Sequence, residues 1–338
     1  MATTHQVAAP AVERTKKAKG ITANSSTIGP MVTLVVLIVA FTVINPRFGS
    51  LENIQTVLYQ AAIPLILSVG ATFVILIGGI DLSIEGVMAA GALTFVLLSP
   101  NNINDSDFGV MAIGGALFVG ALLGALNGFA HVRLKIPSFM SSLGVWYIGL
   151  GIASMLYDQS TPRLSESANI AWANGTSIFG ISNSTFIALG LIILAVIISR
   201  WTRFGRYAYA IGGDEAVVRL TPINIGRYKI AIFMVAGICA AFAGVLGSIR
   251  LGVGVPAVGS GQLFTTISAV VLGGTLLSGG RGGILHSLIG VMVIVVLANG
   301  LVLSGVSPYV QQAVQGMVVI VAVGVAGWKQ RSILRIVK

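Results

Sequence analysis

The sequence predicts an all-α polytopic membrane protein of about ten transmembrane helices, some broken at Gly-rich motifs, with both termini cytoplasmic. Three observations carry the prediction. Apolar residues make up 55% of the 338-residue chain and charged residues only 9%, for a mean hydropathy of +0.95. Uncharged runs recur at bilayer length: 53–80, 108–130, 136–157, 167–199, 230–249 and 282–328. A helix needs about 20 apolar residues to cross a hydrocarbon layer of about 30 Å, and in lipid its backbone must pair its own polar groups. Finally, the basic residues segregate. The spans are expected at approximately 28–45, 56–78, 80–99, 108–130, 138–157, 179–199, 230–250, 263–278, 284–304 and 309–328. With the basic amino terminus inside, seventeen Lys/Arg fall on the cytoplasmic side and only Arg47, Arg163 and Arg250 outside, the positive-inside pattern. The net charge of +10 therefore reports topology and not a nucleic-acid partner, with binding to anionic lipid headgroups a secondary reading.

Residues 1–27 are polar, basic and rich in Ala, Thr and Ser, the composition of a disordered cytoplasmic tail. The domain that follows covers 28–328, and 329–338 form a second basic tail. The apolar run at 31–44 meets Asn45-Pro46-Arg47 rather than a small-residue cleavage site, so it is a first span and not a removable leader. The second span contains Pro64 and ends in G-G-I-D-L-S-I-E-G at 78–86. Carboxylates between apolar runs are costly unless paired, hydrated or capping a helix. Asp81 fits an N-cap for the third span. Equally, Gly78, Gly79, Asp81, Ser83 and Glu85 fit a polar break on a translocation path, where half-helix ends offer N–H groups to a solute.

Asn127 closes the fourth span. Trp146, well inside the fifth, either fills a gap between helices or stacks on a sugar. After the seventh span comes a glycine-rich stretch, 252–262, and then a second break with Gly273, Gly274 and Thr275. It echoes the first: an apolar run, paired glycines, a hydroxyl five residues after the first glycine, and another apolar run. Paired broken helices point to a binding site or gate; glycine at a tight helix crossing is the competing explanation.

Between the sixth and seventh spans lies a polar island, 200–229, with six Lys/Arg and two carboxylates. Gly212 and Gly213 read as a flexible turn, and Asp214 as the cap of a short helix beginning at Glu215. Pro222, with no N–H to continue the ladder, closes that helix. An ordered helix between spans suits a docking element; a loop whose charges only orient the protein is the alternative.

Several chemistries are excluded. The one cysteine, Cys239, permits no intramolecular disulfide. No HExxH or Gly-Lys-Ser/Thr motif occurs, so the chain carries no zinc-protease helix and no phosphate-binding loop. The chain is thus expected not to be an enzyme; if nucleotide drives it, another chain hydrolyses the nucleotide.

Three ordered motifs, G-G-I-D-L-S at 78–83, R-F-G-R-Y-A-Y-A-I-G-G-D-E-A-V-V-R-L-T-P-I-N at 203–224 and A-V-V-L-G-G-T-L-L-S-G-G-R-G at 269–282, together resemble one family. It is the permease subunit of bacterial ABC importers for monosaccharides, of the ribose, xylose, arabinose and galactoside type. The branched-chain amino-acid permeases look like more distant relatives. The resemblance implies an inner-membrane complex with a second permease copy or sister permease, a cytoplasmic ATPase that binds ATP and Mg, and a periplasmic sugar-binding protein. The island would then be the coupling loop, with Gly212, Gly213, Asp214, Glu215, Leu220 and Pro222 at the ATPase groove and Arg203, Arg206 and Arg219 pairing with acidic ATPase residues. Two departures concern the solute. Ile84-Glu85-Gly86 stand where the family usually has V-G-S, and 262–266 lack the acidic residues often found there. A proton-coupled secondary transporter using Asp81 or Glu85, and an ABC permease for another small polar solute, are the alternatives.

Overall fold

A computed structural model describes residues 25–157, 160–307 and most of 309–320. The expected tails lie outside these residues except for 25–27, where α1 has already begun; so does the end of the tenth expected span, from 321 onward. The described chain is helical with no strand, only isolated bridges between loops. Its helices are α1 (Ser25–Ile44), α2 (Leu51–Leu76), α3 (Ile84–Leu98), α4 (Val110–Arg133), α5 (Ser138–Tyr157) and α6 (Ala171–Asn174). There follow α7 (Asn183–Trp201), α8 (Arg203–Gly213), α9 (Glu215–Arg219), α10 (Ile225–Leu251), α11 (Gln262–Leu272) and α12 (Ile284–Leu303). Among the described residues, α2, α4, α5, α7, α10 and α12 are long and apolar enough to cross a membrane, and α1, α3 and α11 contribute shorter apolar segments. The chain is a helical polytopic bundle, as expected.

Helix α2 is the axis. From Ala61 to Leu76 every one of its residues is buried, and α10, α12, α7 and α11 pack around it. Helix α10 runs antiparallel to α4, and small residues let the backbones touch. A Cβ on Gly120 would stand 2.5 Å from the Gly237 carbonyl oxygen, and one on Gly124 2.3 Å from that of Phe233. This is the close approach that glycine permits where lipid supplies no hydrophobic drive between helices.

The two ends differ in charge. At one end the α4–α5 loop with Arg133 and Lys135, the 200–229 segment and Arg281 come together, since Gly226 abuts Val132 and Gly212 abuts Gly280. At the other, Asn102 donates its N–H to the Arg163 carbonyl at 3.2 Å, Leu164 to Gly252 at 3.0 Å and Gly254 to Pro162 at 2.9 Å. Arg250 there donates to the Tyr59 carbonyl at 2.7 Å and lies 3.8 Å over the Tyr59 ring. Among the described residues, the segregation of basic side chains read from the sequence is thus a property of the folded bundle.

Two elements are shorter than expected. The third span starts at Ile84 rather than 80, and the eighth stops at Leu272 rather than 278. At 1.5 Å per residue, α3 is about 22 Å long and α11 about 16 Å, each too short to cross alone. The intervening residues, 77–83 and 273–283, are non-helical. The glycine-rich stretch after α10 re-enters along α3: Gly254 packs on Leu93 and Val96, and Gly259 on Glu85 and Met88.

Candidate functional site

The first break is built around Asp81, which is only 6% exposed. Its Oδ1 accepts the Ser83 N–H at 2.9 Å and the Ser83 hydroxyl at 2.6 Å, and Asn127 Nδ2 from α4 at 3.2 Å. Asn127, fully buried, accepts in turn from Ser141 Oγ of α5 at 2.7 Å. Ser138 Oγ accepts the Ile80 N–H at 3.0 Å. A buried carboxylate is tolerable because hydrogen-bond donors surround it. Asp81 is not the N-cap of α3, however. Ser83 holds that position without a side-chain cap bond, and Asp81 instead closes the turn before it. The expected path residues Asp81, Ser83 and Asn127 are therefore one network tying α3, α4 and α5 to the break.

The second break folds on itself. Thr275 Oγ1 accepts the Gly283 N–H at 3.1 Å, and Leu276 donates its N–H to the Arg281 carbonyl at 3.1 Å. Gly274, Gly279, Gly280, Gly282 and Gly283 all have positive φ, a region that side chains with a Cβ avoid. Gly273 serves differently: a Cβ there would lie 1.9 Å from the His286 carbonyl oxygen, so it sets the crossing of α11 on α12.

The two breaks meet. Gly280 donates its N–H to the Leu76 carbonyl at the end of α2, at 2.9 Å, and a Cβ on Gly78 would stand 3.4 Å from the Ser278 carbonyl oxygen. A cavity of about 100 Å³ lies beside this contact, walled by Ala71 and Ile75 of α2, Ile80 and Asp81, Ile267 of α11, and Leu277. At the far end of the bundle is an open recess of about 380 Å³, with Glu52, Gln55, Thr56 and Tyr59 on one face of α2 and Asn174 opposite.

Helix α8 joins this junction from outside. Its buried stripe is Gly205, Ala208 and Ile211, and Tyr209 Oη donates to the Gly282 carbonyl at 3.1 Å. Burial pushes the Tyr209 phenol above its ordinary value against the opposing pull of Arg200, which keeps it protonated as a donor. Gly212 is not the flexible turn that the sequence suggests. It is the last full contact of a helix, where a Cβ would lie 1.7 Å from the Leu76 carbonyl oxygen and 2.6 Å from the Gly280 nitrogen. Gly213 itself has open space where a Cβ would stand, although a Cβ on Gly280 would meet the Gly213 Cα at 2.7 Å. Sequence reading missed α8 altogether; the small residues at 205, 208 and 212 carry its signal, a helical spacing that close packing requires.

Asp214 does cap α9, accepting from Ala216 and Val217 N–H at 3.0 and 3.2 Å, and the helix stops at Arg219 ahead of the exposed Pro222. Glu215 pairs with Arg219 at 2.6 Å and Lys229 at 2.8 Å. Partial burial alone would raise its pKa, but the bonds from Lys229 and Arg219 outweigh it and hold the carboxyl below the usual range. Arg219 thus has a carboxylate partner within its own chain. Arg203 and Arg206 are exposed, the latter donating to the Trp201 carbonyl at 3.3 Å. Val217 and Leu220 are 58% and 87% exposed, an apolar pair on a polar surface.

Glu85 and Trp146 lie apart from the Asp81 network. Glu85 Oε1 accepts the Leu263 N–H at the start of α11, at 3.2 Å. Trp146 packs against Gly86, where a Cβ would meet its backbone oxygen at 2.2 Å.

A bundle of apolar helices with two interrupted members joined at their breaks, and an ordered helix docked on that joint, is the architecture of a multi-pass membrane permease. The chain belongs to the family described as branched-chain amino acid transport system / permease component, whose model matches residues 53–323. It is similar to the ribose import permease protein RbsC of Escherichia coli strain K12, 34% identical over 305 residues, which covers 89% of this chain and 93% of that protein. RbsC of Bacillus subtilis strain 168 is 37% identical over 299 residues, 88% of this chain and 91% of that protein. The fructose import permease protein FrcC of Rhizobium meliloti is 32% identical over 308 residues, 88% and 84%. No solved structure matches the chain. The family and the apolar helices make it a multi-pass inner-membrane transport component.

Proposed function

We propose that the chain is the permease subunit of a bacterial ABC importer and carries a monosaccharide, pentose or hexose, across the inner membrane. The basic end of the bundle, with both termini, faces the cytoplasm. A second permease copy or sister permease completes the passage, a periplasmic binding protein delivers the sugar, and a cytoplasmic ATPase that holds ATP and Mg drives it. Relatives named for ribose and fructose import support the solute class.

The observation that carries the reading is the contact of Gly212 with both Leu76 and Gly280. Helix α8, followed at once by α9 with its exposed Val217 and Leu220, rests directly on the joint between the two breaks. Movement of α8 on ATP binding shifts the second break against the end of α2. Separation of Gly280 from Leu76 opens the small cavity beside Asp81 toward the cytoplasm, and their rejoining closes it. Because the contact is backbone to backbone, little motion is absorbed by side-chain rearrangement before it reaches the break.

Reconstitution in proteoliposomes with the cognate ATPase and binding protein tests this. Uptake of labelled D-ribose, D-fructose or D-galactose that requires ATP and is blocked by vanadate is expected. Uptake by the chain alone, driven by a pH gradient and insensitive to vanadate, would instead establish the proton-coupled alternative.

A further inference from the structure

Glu85 is a carboxylate that neither the docking helix nor the joint of the breaks uses. It stands in the first turn of α3 and accepts from the Leu263 N–H, in the first turn of α11, at 3.2 Å. One anion thus serves the amino ends of two half-length helices, whose unpaired N–H groups carry partial positive charge. Trp146, eight residues and so about 12 Å into α5, packs on α3 at the next residue, Gly86. A Cβ on that glycine would meet Trp146 Cδ1 at 2.8 Å, and the adjoining ring atom, Nε1, is buried without a hydrogen-bond partner.

Helix α11 adds two more such atoms. Gln262, the residue before Leu263, has its Oε1 buried and unpartnered, and so does the Oγ1 of Thr266, a residue with 0% exposure. Positions 262 and 266 share one face of the helix. Of the five buried side-chain polar atoms without a partner among the described residues, three therefore belong to residues on the two elements that flank Glu85. Unpaired buried donors and acceptors are costly and rare in folded proteins. Three on the two elements that contact α3 at Glu85 and Gly86 mark a place where the partner comes from outside the chain.

The geometry points to a contact site for a polyhydroxylated, uncharged solute at the meeting of α3, α5 and α11, formed by Glu85, Trp146, Gln262 and Thr266. This rests on the importer reading and deepens it. Glu85 accepts from adjacent sugar hydroxyls, the Trp146 N–H donates to a hydroxyl or ring oxygen, and Gln262 Oε1 and Thr266 Oγ1 take the remaining hydroxyl protons. The carboxylate disfavours an anionic solute, and the unpaired polar atoms disfavour a hydrocarbon one. The placement also accounts for both departures from the family pattern: the acid missing from 262–266 is supplied across the interface from position 85. Glu85 is thereby a specificity-determining residue at a position where a small residue is expected.

ATP-driven uptake by the complete assembly, measured with D-ribose, D-fructose and D-galactose, tests the site. Glu85→Gln keeps an acceptor for the Leu263 N–H but loses the charge and one acceptor. It should raise KM for the carried sugar at least tenfold and alter the ranking of the three sugars, with the maximal rate within about twofold. Trp146→Phe, which keeps the ring and removes the N–H, should raise KM in the same direction. Wild-type KM and ranking in Glu85→Gln, with impairment only in Glu85→Ala, would overturn the site and leave the importer standing, since Glu85 would then be a helix cap alone. Absence of uptake of all three sugars by the wild-type assembly would overturn the monosaccharide reading and the site together.

Discussion

Glu215 shows how a single carboxylate organises the polar end of the molecule. It ties α9 to the start of the second turn of α10 through Lys229 and to its own last turn through Arg219. Because its folded pKa lies below the ordinary value of 4.5, the pairing contributes stability at any pH above that ordinary value. The contribution is lost as pH falls through the lower folded value. Hydrogen-exchange protection of 214–229 is therefore expected to be flat from neutral pH to about pH 5 and to fall in more acid solution; Glu215→Gln should remove that acid dependence. Charge reversal, Glu215→Lys or Arg219→Glu, places like charges together and should reduce uptake at least tenfold with membrane insertion unchanged. Asp81 poses the opposite case, a buried acceptor for three donors. Asp81→Ala leaves Asn127 Nδ2 and the Ser83 N–H without their acceptor, at about 1–3 kcal/mol for each buried group left unpaired. Its thermal unfolding in detergent should shift down by several degrees, whereas Asp81→Asn, which keeps the acceptor, should shift far less.

At the scale of elements, α8 is the part that local reasoning does not reveal. Its glycines are there for proximity. Gly205 sits where a Cβ would be 2.2 Å from the Ser199 carbonyl oxygen, and Gly212 where it would be 1.7 Å from that of Leu76. Neither neighbour is the end of a flexible side chain that can swing away. Gly212→Ala must therefore lift α8 from the joint of the breaks. The expected phenotype is normal insertion and ATPase binding with uptake lowered at least tenfold, measured as the ratio of sugar carried to ATP hydrolysed. A variant that transports at the wild-type ratio would show that α8 and the breaks are mechanically independent.

Over the whole molecule, the two ends are built for different work. The end opposite the basic cluster is stitched by bonds among the loops at 102, 162–164 and 252–254 and by Arg250 on Tyr59, and it holds an open polar recess. Among the exposed apolar residues of the basic end, Val217 and Leu220 form a small knob on α9 and its C-cap. Exposed apolar residues on an otherwise polar surface mark a contact site when they cluster. Leu220→Glu should reduce co-purification of the ATPase at least tenfold, while association with the binding protein at the opposite end stays at the wild-type level.

Much of this was legible in the residues alone. Apolar runs, their lengths and the asymmetric Lys/Arg distribution depend on transfer into lipid, a property each segment carries by itself. The Asp214 cap and the stop before Pro222 were readable for the same reason, since capping is settled within four residues. The tertiary structure decided what depends on distant partners. That α3 and α11 are half-length, that Gly212 is a contact and not a hinge, and that Asp81 closes a turn within a network instead of capping α3 all follow from neighbours far along the chain. Glu85 is the clearest instance. The sequence shows it as an acid out of place, and shows 262–266 as a stretch without its acid. Only folding brings the two together, in a hydrogen bond between residues 178 positions apart, because a helix end accepts a carboxylate from whichever element lies against it.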